Sequence, residues 1–220
     1  MDKTHREEVV INVHKGLRKG LLELSIRFGR LDWVDQEEIK AADEEFGRML
    51  RFLREHATNE DEVQFPMVKK TDPDTVRVVE EDHIRLKRDL YDLESHWNKV
   101  LQSQDKSRAG YAFYRAYNRY VSDYLAHMDR EEGVFTEAIY RRFNDAEIAA
   151  EFKKIIARTL PQDMGMMLGY MIPAMNGTER AAFLSKLKAT APPEVFEIVK
   201  RLAKTVLPKA EWEKLSALLG

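Results

Sequence analysis

The chain contains no cysteine. Disulfides, iron–sulfur clusters, zinc fingers and thiol nucleophiles are excluded together. Glycine and proline are scarce, 10 and 7 in 220 residues, so little interrupts long helices. No apolar run approaches the roughly 18–20 residues of a membrane-spanning helix. An excess of one charge is lacking too: 36 Lys plus Arg against 38 Asp plus Glu leave a net charge of −2. Bulk electrostatics therefore gives no case for nucleic acid or an anionic membrane as a partner. The charged opening MDKTHREEVV carries no apolar signal segment, and a reducing cytoplasm is the expected location.

What is present is a helical period along almost the whole length. Apolar residues make up 44% and charged residues 34% of the chain, the balance of a globular protein with a solvated surface. The spacing predicts a first helix over residues 4–28, stopping near Gly29. Asp35 with Glu38 three residues on forms a capping-box pattern that opens a second helix, running to Phe65 or just past Pro66. Asp72-Pro73 opens a third, which ends near Gln104. Ser107 is the expected cap of a fourth, ending near Phe143. Four long helices with short loops predict an all-α fold, an antiparallel up-down-up-down four-helix bundle over residues 1–143. Residues 144–220 read as a C-terminal appendage of four shorter helices packing on the bundle, punctuated by Pro161, Pro173, Pro192-Pro193 and Pro208.

A bundle helix places its core residues at alternating steps of three and four. On the first helix that stripe is Val10, His14, Leu17, Leu21, Leu24, Phe28. On the second it is Ala42, Phe46, Met49, Leu53, His56, Glu60, Val63, Met67. On the third it is Val76, Val79, His83, Leu86, Leu90, Leu93, Trp97, Val100. On the fourth it is Phe113, Tyr117, Tyr120, Tyr124, His127, Glu131, Val134, Ala138. Ionisable residues enter each stripe at one level only. In an antiparallel bundle the starts of helices one and three share an end with the finishes of two and four. At ~1.5 Å rise per residue, His14, His56, Glu60, His83, His127 and Glu131 then fall in one layer.

A buried carboxylate without compensation costs several kcal/mol or neutralises itself. Two of them among four imidazoles call for shared positive charge, which metal ions supply. One such histidine alone is more often a hydrogen-bonded core residue. Four of the six histidines of the chain on four stripes at one height, two of them followed by Glu at i+4, form a joint pattern. The other two, His5 and His96, lie off the stripes and read as solvent-facing. Six nitrogen and oxygen donors exceed one tetrahedral zinc and suit two ions, with the carboxylates able to bridge. Imidazole with carboxylate suits iron and also accepts manganese or zinc.

The chain resembles the hemerythrin-like, HHE-type cation-binding family of non-haem di-iron proteins. The resemblance rests on His14, His56-Ala-Thr-Asn-Glu60 followed by Phe65-Pro66, His83 within Glu-Asp-His-Ile-Arg-Leu, and His127-Met-Asp-Arg-Glu131 followed by Phe135. It covers roughly residues 5–142. It implies a four-helix bundle around two iron ions with an oxo or hydroxo bridge, Glu60 and Glu131 as bridging carboxylates, His14 and His56 on one iron, and His83 and His127 on the other. Oxygen-carrying members have a second histidine one turn along the third helix; here Lys87 stands four after His83 and Val79 four before it. Some iron-sensing members carry Glu directly after the second-helix histidine, where this chain has Ala57. The site therefore reads as one ligand short. Glu80 is the first candidate to complete it, Glu62 or a tyrosine the next, and Asp61 is a rival to Glu60. A missing ligand implies an open position and reactivity with dioxygen, peroxide or nitric oxide rather than reversible oxygen carriage alone, with iron or oxygen sensing as the alternative. The residue pattern assigns no enzymatic reaction.

Tyr117, Tyr120 and Tyr124 share the site face of the fourth helix and read first as core, with a part in hydrogen bonding or radical protection second. Met164, Met166, Met167, Met171 and Met175 cluster with Gly165 and Gly169. They read as adaptable packing, with a lid or a protein-docking surface through the C-terminal helices as the sharper expectation. The basic residues between Lys186 and Lys204 alternate with Phe183, Leu187, Phe196 and Leu202 and read as a solvated face.

Overall fold

A computed structural model describes residues 10–219, and among them every element is helical. The predicted helix start over residues 4–9, with His5, lies outside the described residues. The elements are α1 (Ile11–Arg30), α2 (Gln36–Asn59), a π-turn (Glu60–Gln64), α3 (Phe65–Lys69), α4 (Pro73–Gln102), α5 (Lys106–Arg130), a second π-turn (Glu131–Phe135), α6 (Thr136–Arg142), α7 (Asp145–Arg158), α8 (Pro161–Ala174), α9 (Gly177–Thr190), α10 (Pro193–Val206) and α11 (Lys209–Leu219). The chain divides into two compact units. One comprises residues 1–10 and 20–159, the other residues 11–19 and 160–220.

The caps follow local chemistry. Asp35 accepts from the Glu37 and Glu38 amides at the start of α2, while the Glu38 carboxylate reaches the Asp32 amide rather than closing a box. Asp72 accepts from the Thr75 amide behind Pro73, which fills the first helical position of α4. Asp105, not Ser107, caps α5 through the Arg108 amide. A carboxylate both accepts the bond and opposes the positive end of the helix dipole, which a hydroxyl cannot do.

In the first unit, α4 and α5 form an antiparallel pair: Trp97 meets Phe113, and Asp82 meets Arg130. α2 pairs with α4 through Asp43, which accepts from the Trp97 indole at 2.7 Å, and through Arg54 and Glu94. One end of this unit is an aromatic core. Phe28 contacts Phe46, Trp97, Phe113 and Tyr117 with centroids 4.9–5.8 Å apart, mostly edge to face. The Tyr117 hydroxyl donates to the Leu21 carbonyl at 3.0 Å. Trp33, in the α1–α2 loop, lies so close to Gly110 that an added Cβ would stand 2.3 Å from the indole.

At the other end a second apolar core joins Phe65, Val68, Val76, Val79, Phe135, Ala138, Ile139 and Ile148. Ile148 brings α7 into this unit, anchored by a complete Asn144–Glu147 capping box. The second unit has its own core of Leu168, Ile172, Leu184, Val199, Ala203, Leu207, Leu215 and Leu219, with Met164 and Met171 packed against it. Gly16 abuts the Met171 backbone there, and Lys15 pairs with Glu179. Arg180 fastens α8 by donating to the Ile172 and Pro173 carbonyls and pairing with Glu211. Lys186, Lys188, Arg201 and Lys204 are exposed, as the sequence pattern predicts. No helix among the described residues is long and apolar enough to cross a membrane.

Candidate metal centre

Both π-turns begin at a buried glutamate. The Phe65 amide donates to the Glu60 carbonyl, and the Thr136 amide to the Glu131 carbonyl, five residues back in each case. The Thr136 hydroxyl adds a bond to the same Glu131 carbonyl at 2.7 Å. One extra residue per turn rotates the remainder of the helix. Beyond the first turn Val68 faces inward where the even pattern predicts Met67. Phe135, which ends the second turn, and Ile139 beyond it are buried, while the predicted stripe residue Val134, inside that turn, is 57% exposed. Such turns are rare and concentrate at functional sites; here they come in a matched pair.

Glu60 and Glu131 are 0% exposed, and His56, His83 and His127 are buried beside them. Glu60, His83, His127 and Glu131 each offer a ligand atom within 4.8 Å of those of the others, and His56, Glu60 and Glu131 do the same. The contacts run Nε2 to carboxylate. His56 Nε2 is 3.2 Å and His83 Nε2 3.4 Å from Glu60 Oε2, while Glu131 Oε1 is 3.3 Å from His83 Nε2 and 3.1 Å from His127 Nε2. A charge-assisted N–H···O bond closes to ~2.7–2.9 Å. Ligands on neighbouring corners around one ion, at metal–ligand bonds of ~2.0–2.2 Å, stand ~2.8–3.6 Å apart. The observed spacing matches the second figure, so the donor set fits a cation. His14 is fully buried on α1, in the half of that helix belonging to the second unit.

The electrostatics agree. Burial alone would lower the His83 pKa, but the bond to Asp61 and the facing carboxylates of Glu131 and Glu60 raise it to about 11. Two enclosed carboxylates demand positive charge, and that demand drives the upward shift at His83. Burial pushes the Tyr124 phenol well above its ordinary range, helped by Tyr120, Glu60 and Glu131, so it stays protonated with its ring 5.6 Å from that of His127. Tyr120 is raised likewise by burial. The first reading of the three tyrosines, as core residues, matches their burial.

The glutamate candidates for a further ligand lie elsewhere. Both Glu80 oxygens bond Lys69, at 2.7 and 2.9 Å, and Glu62 pairs with Arg158. Each faces the rim because its helix position points away from the stripe. Asp61 does not replace Glu60: its Oδ1 meets His83 Nδ1 at 2.8 Å, and its Oδ2 pairs with Lys87. Burial would raise the Asp61 pKa, but the bonds to His83 and Lys87 outweigh it and hold the carboxyl low. Asp82, which the sequence does not single out, lies 3.5 Å from His127 Nδ1 and gives its oxygens to Arg130 and Arg85. Its pKa also drops, since those two guanidinium bonds outweigh burial. His96 is not solvent-facing but half-buried, its ring 5.6 Å from Phe113, and its pKa is lowered by burial, Lys99 and Arg119.

No curated protein and no solved structure matches the chain. Residues 5–139 match the family described as Hemerythrin HHE cation binding domain. That stretch spans well over half the chain and ends just past the second π-turn, taking in every donor above. With its buried His/Glu groups, the chain belongs to the hemerythrin HHE cation-binding family.

Proposed function

We propose that this protein holds two iron ions in its donor layer and binds or reacts with dioxygen, peroxide or nitric oxide there. The observation that carries the reading is the pair of fully buried glutamates heading the two π-turns, faced by histidine Nε2 atoms at 3.1–3.4 Å. In this reading the four long helical stretches form the up-down-up-down bundle, Glu60 and Glu131 would be shared by the two ions, and His83 and His127 would serve one of them. His56 and His14 serve the other. The stripe spacing of the sequence supports His14, and so does its full burial on α1. Manganese or zinc can occupy the same donors.

A redox-active pair, when bound, supplies electrons to a small oxidant. The chain's own part is to exclude water and to leave one place open. Lys87 stands where oxygen carriers of the resembled family have a further histidine, and its ammonium is engaged by Asp61. The apolar core around Phe65 and Phe135 covers the layer on one side, with the Phe65 ring 4.8 Å from His83. Anaerobic loading with ferrous iron followed by oxygen should give near-ultraviolet charge-transfer bands of a bridged diferric pair. A colourless protein without stoichiometric iron would defeat the reading.

One observation favours a second reading, iron or oxygen sensing. The segment Ile11–Lys19, which carries His14, belongs to the same compact unit as Leu160–Gly220. In this reading the C-terminal helices report the metal state to a protein partner. Limited proteolysis of those helices that is identical with and without metal would exclude sensing by this route.

A further inference from the structure

Two aspartates stand beside the donor layer, each next in sequence to a donor and each reaching a histidine of another helix. Asp61 follows Glu60 and reaches His83; Asp82 precedes His83 and reaches toward His127. Their geometry differs. Asp61 Oδ1 lies 2.8 Å from His83 Nδ1, a hydrogen bond in which the ring nitrogen donates. Asp82 Oδ2 is 3.5 Å from His127 Nδ1, too long for one. The second oxygen of Asp61 is taken by Lys87, from the turn of α4 after His83. Asp61 is 28% and Lys87 52% exposed, so this pair bridges solvent and the buried ring.

Resting on the metal reading above, we infer that Asp61 is the positioning residue of the centre and that Lys87 acts through it. Asp61 holds the His83 ring with Nδ1–H outward and Nε2 turned to the glutamates. Lys87 anchors the carboxylate on the rim. By its chemistry Asp61, one residue after Glu60, could otherwise compete for a cation; the ammonium keeps it outside the coordination sphere. His127 lacks such a clamp and is placed by the rings of Tyr124 and His83, 5.6 and 4.8 Å away. An outer-sphere carboxylate of this kind sets ring orientation and ligand basicity, and its loss typically costs 10–100-fold in metal affinity.

The test uses Co(II) as the probe, titrated into full-length chain against a chelator and followed by visible absorption. D61A should lower affinity 10–100-fold with the number of ions unchanged, D61N should recover part of the loss, and D82A should change it under threefold. K87M should weaken binding less than D61A, and the double variant should match D61A alone. A second readout needs no metal. In ¹⁵N-histidine-labelled metal-free protein, His83 Nδ1–H should give a slowly exchanging downfield resonance that vanishes in D61A and survives in D82A. Wild-type affinity in D61A overturns the positioning role. Loss of one bound ion in D61A makes Asp61 a ligand and overturns it equally. Additive losses in the double variant overturn the part given to Lys87. If H83A and E131Q also bind Co(II) normally, it is the metal reading that fails.

Discussion

The two ends of the first unit use opposite means to fill a helical interior. At one end, Phe28, Phe46, Trp97, Phe113 and Tyr117 interlock edge to face, and only a few polar tips are accommodated. At the other, glutamates and histidines are buried as deeply as those rings. The aromatic end is stabilised by area and packing. The donor end encloses charges that a cation would neutralise, and such a site couples metal binding to folding. The π-turns mark the change: each begins where a helix passes from apolar packing to the buried His/Glu layer, with one buried carboxylate at its head.

This contrast can be broken from either side. The largest effect belongs to the aromatic end. F46A should cost about 3–5 kcal/mol in stability and leave metal stoichiometry unchanged, read by denaturant melts and elemental analysis. E131Q should do the reverse, abolishing tight metal binding while changing the stability of the metal-free protein little, because one buried charge is gone but a partner of the His83 ring goes with it.

The pH response sharpens the same point. The His83 pKa is raised from 6.5 to about 11 in the bare fold. Its contribution is fully present below pH 6.5 and is lost as pH rises through about 11. Thermal melts of metal-free protein should therefore fall between pH 7 and pH 10. Loaded protein should resist that loss, since ions replace the proton and bind more tightly as protons leave. Parallel melting curves with and without metal would contradict this.

Smaller effects lie at the loops. G110A drives a methyl group into the Trp33 indole and should cost about 1–3 kcal/mol, visible as a lowered melting temperature with metal content intact. D105A, removing the α5 cap, should cost about 1 kcal/mol, whereas S107A should cost little.

Much of this is legible in the residue order. The four stripes and their single ionisable level are a matter of period, and period survives in sequence. The π-turns are not legible. A five-residue step from Glu60 to Phe65 looks like ordinary drift in an apolar pattern, because the event lies in backbone bonding. That is why an even period puts Val134 and Met67 on the inner face. Asp82 looks like a surface acid and Asp61 like a rival ligand to Glu60, since what each carboxylate meets lies on a neighbouring helix. Glu80 looks available for ligation in the sequence, but Lys69, from the other side of the loop, occupies it. His96 sits off the stripe, yet Phe113 covers its ring from the next helix.

The central claim is that buried carboxylates and imidazoles at the heads of the π-turns are neutralised by a pair of cations. Elemental analysis of untagged protein tests it most directly. Two transition-metal ions per chain, iron foremost, are expected, lost together in E60Q/E131Q. Protein that retains no metal after iron loading, and melts at the same temperature with or without a chelator, would contradict it.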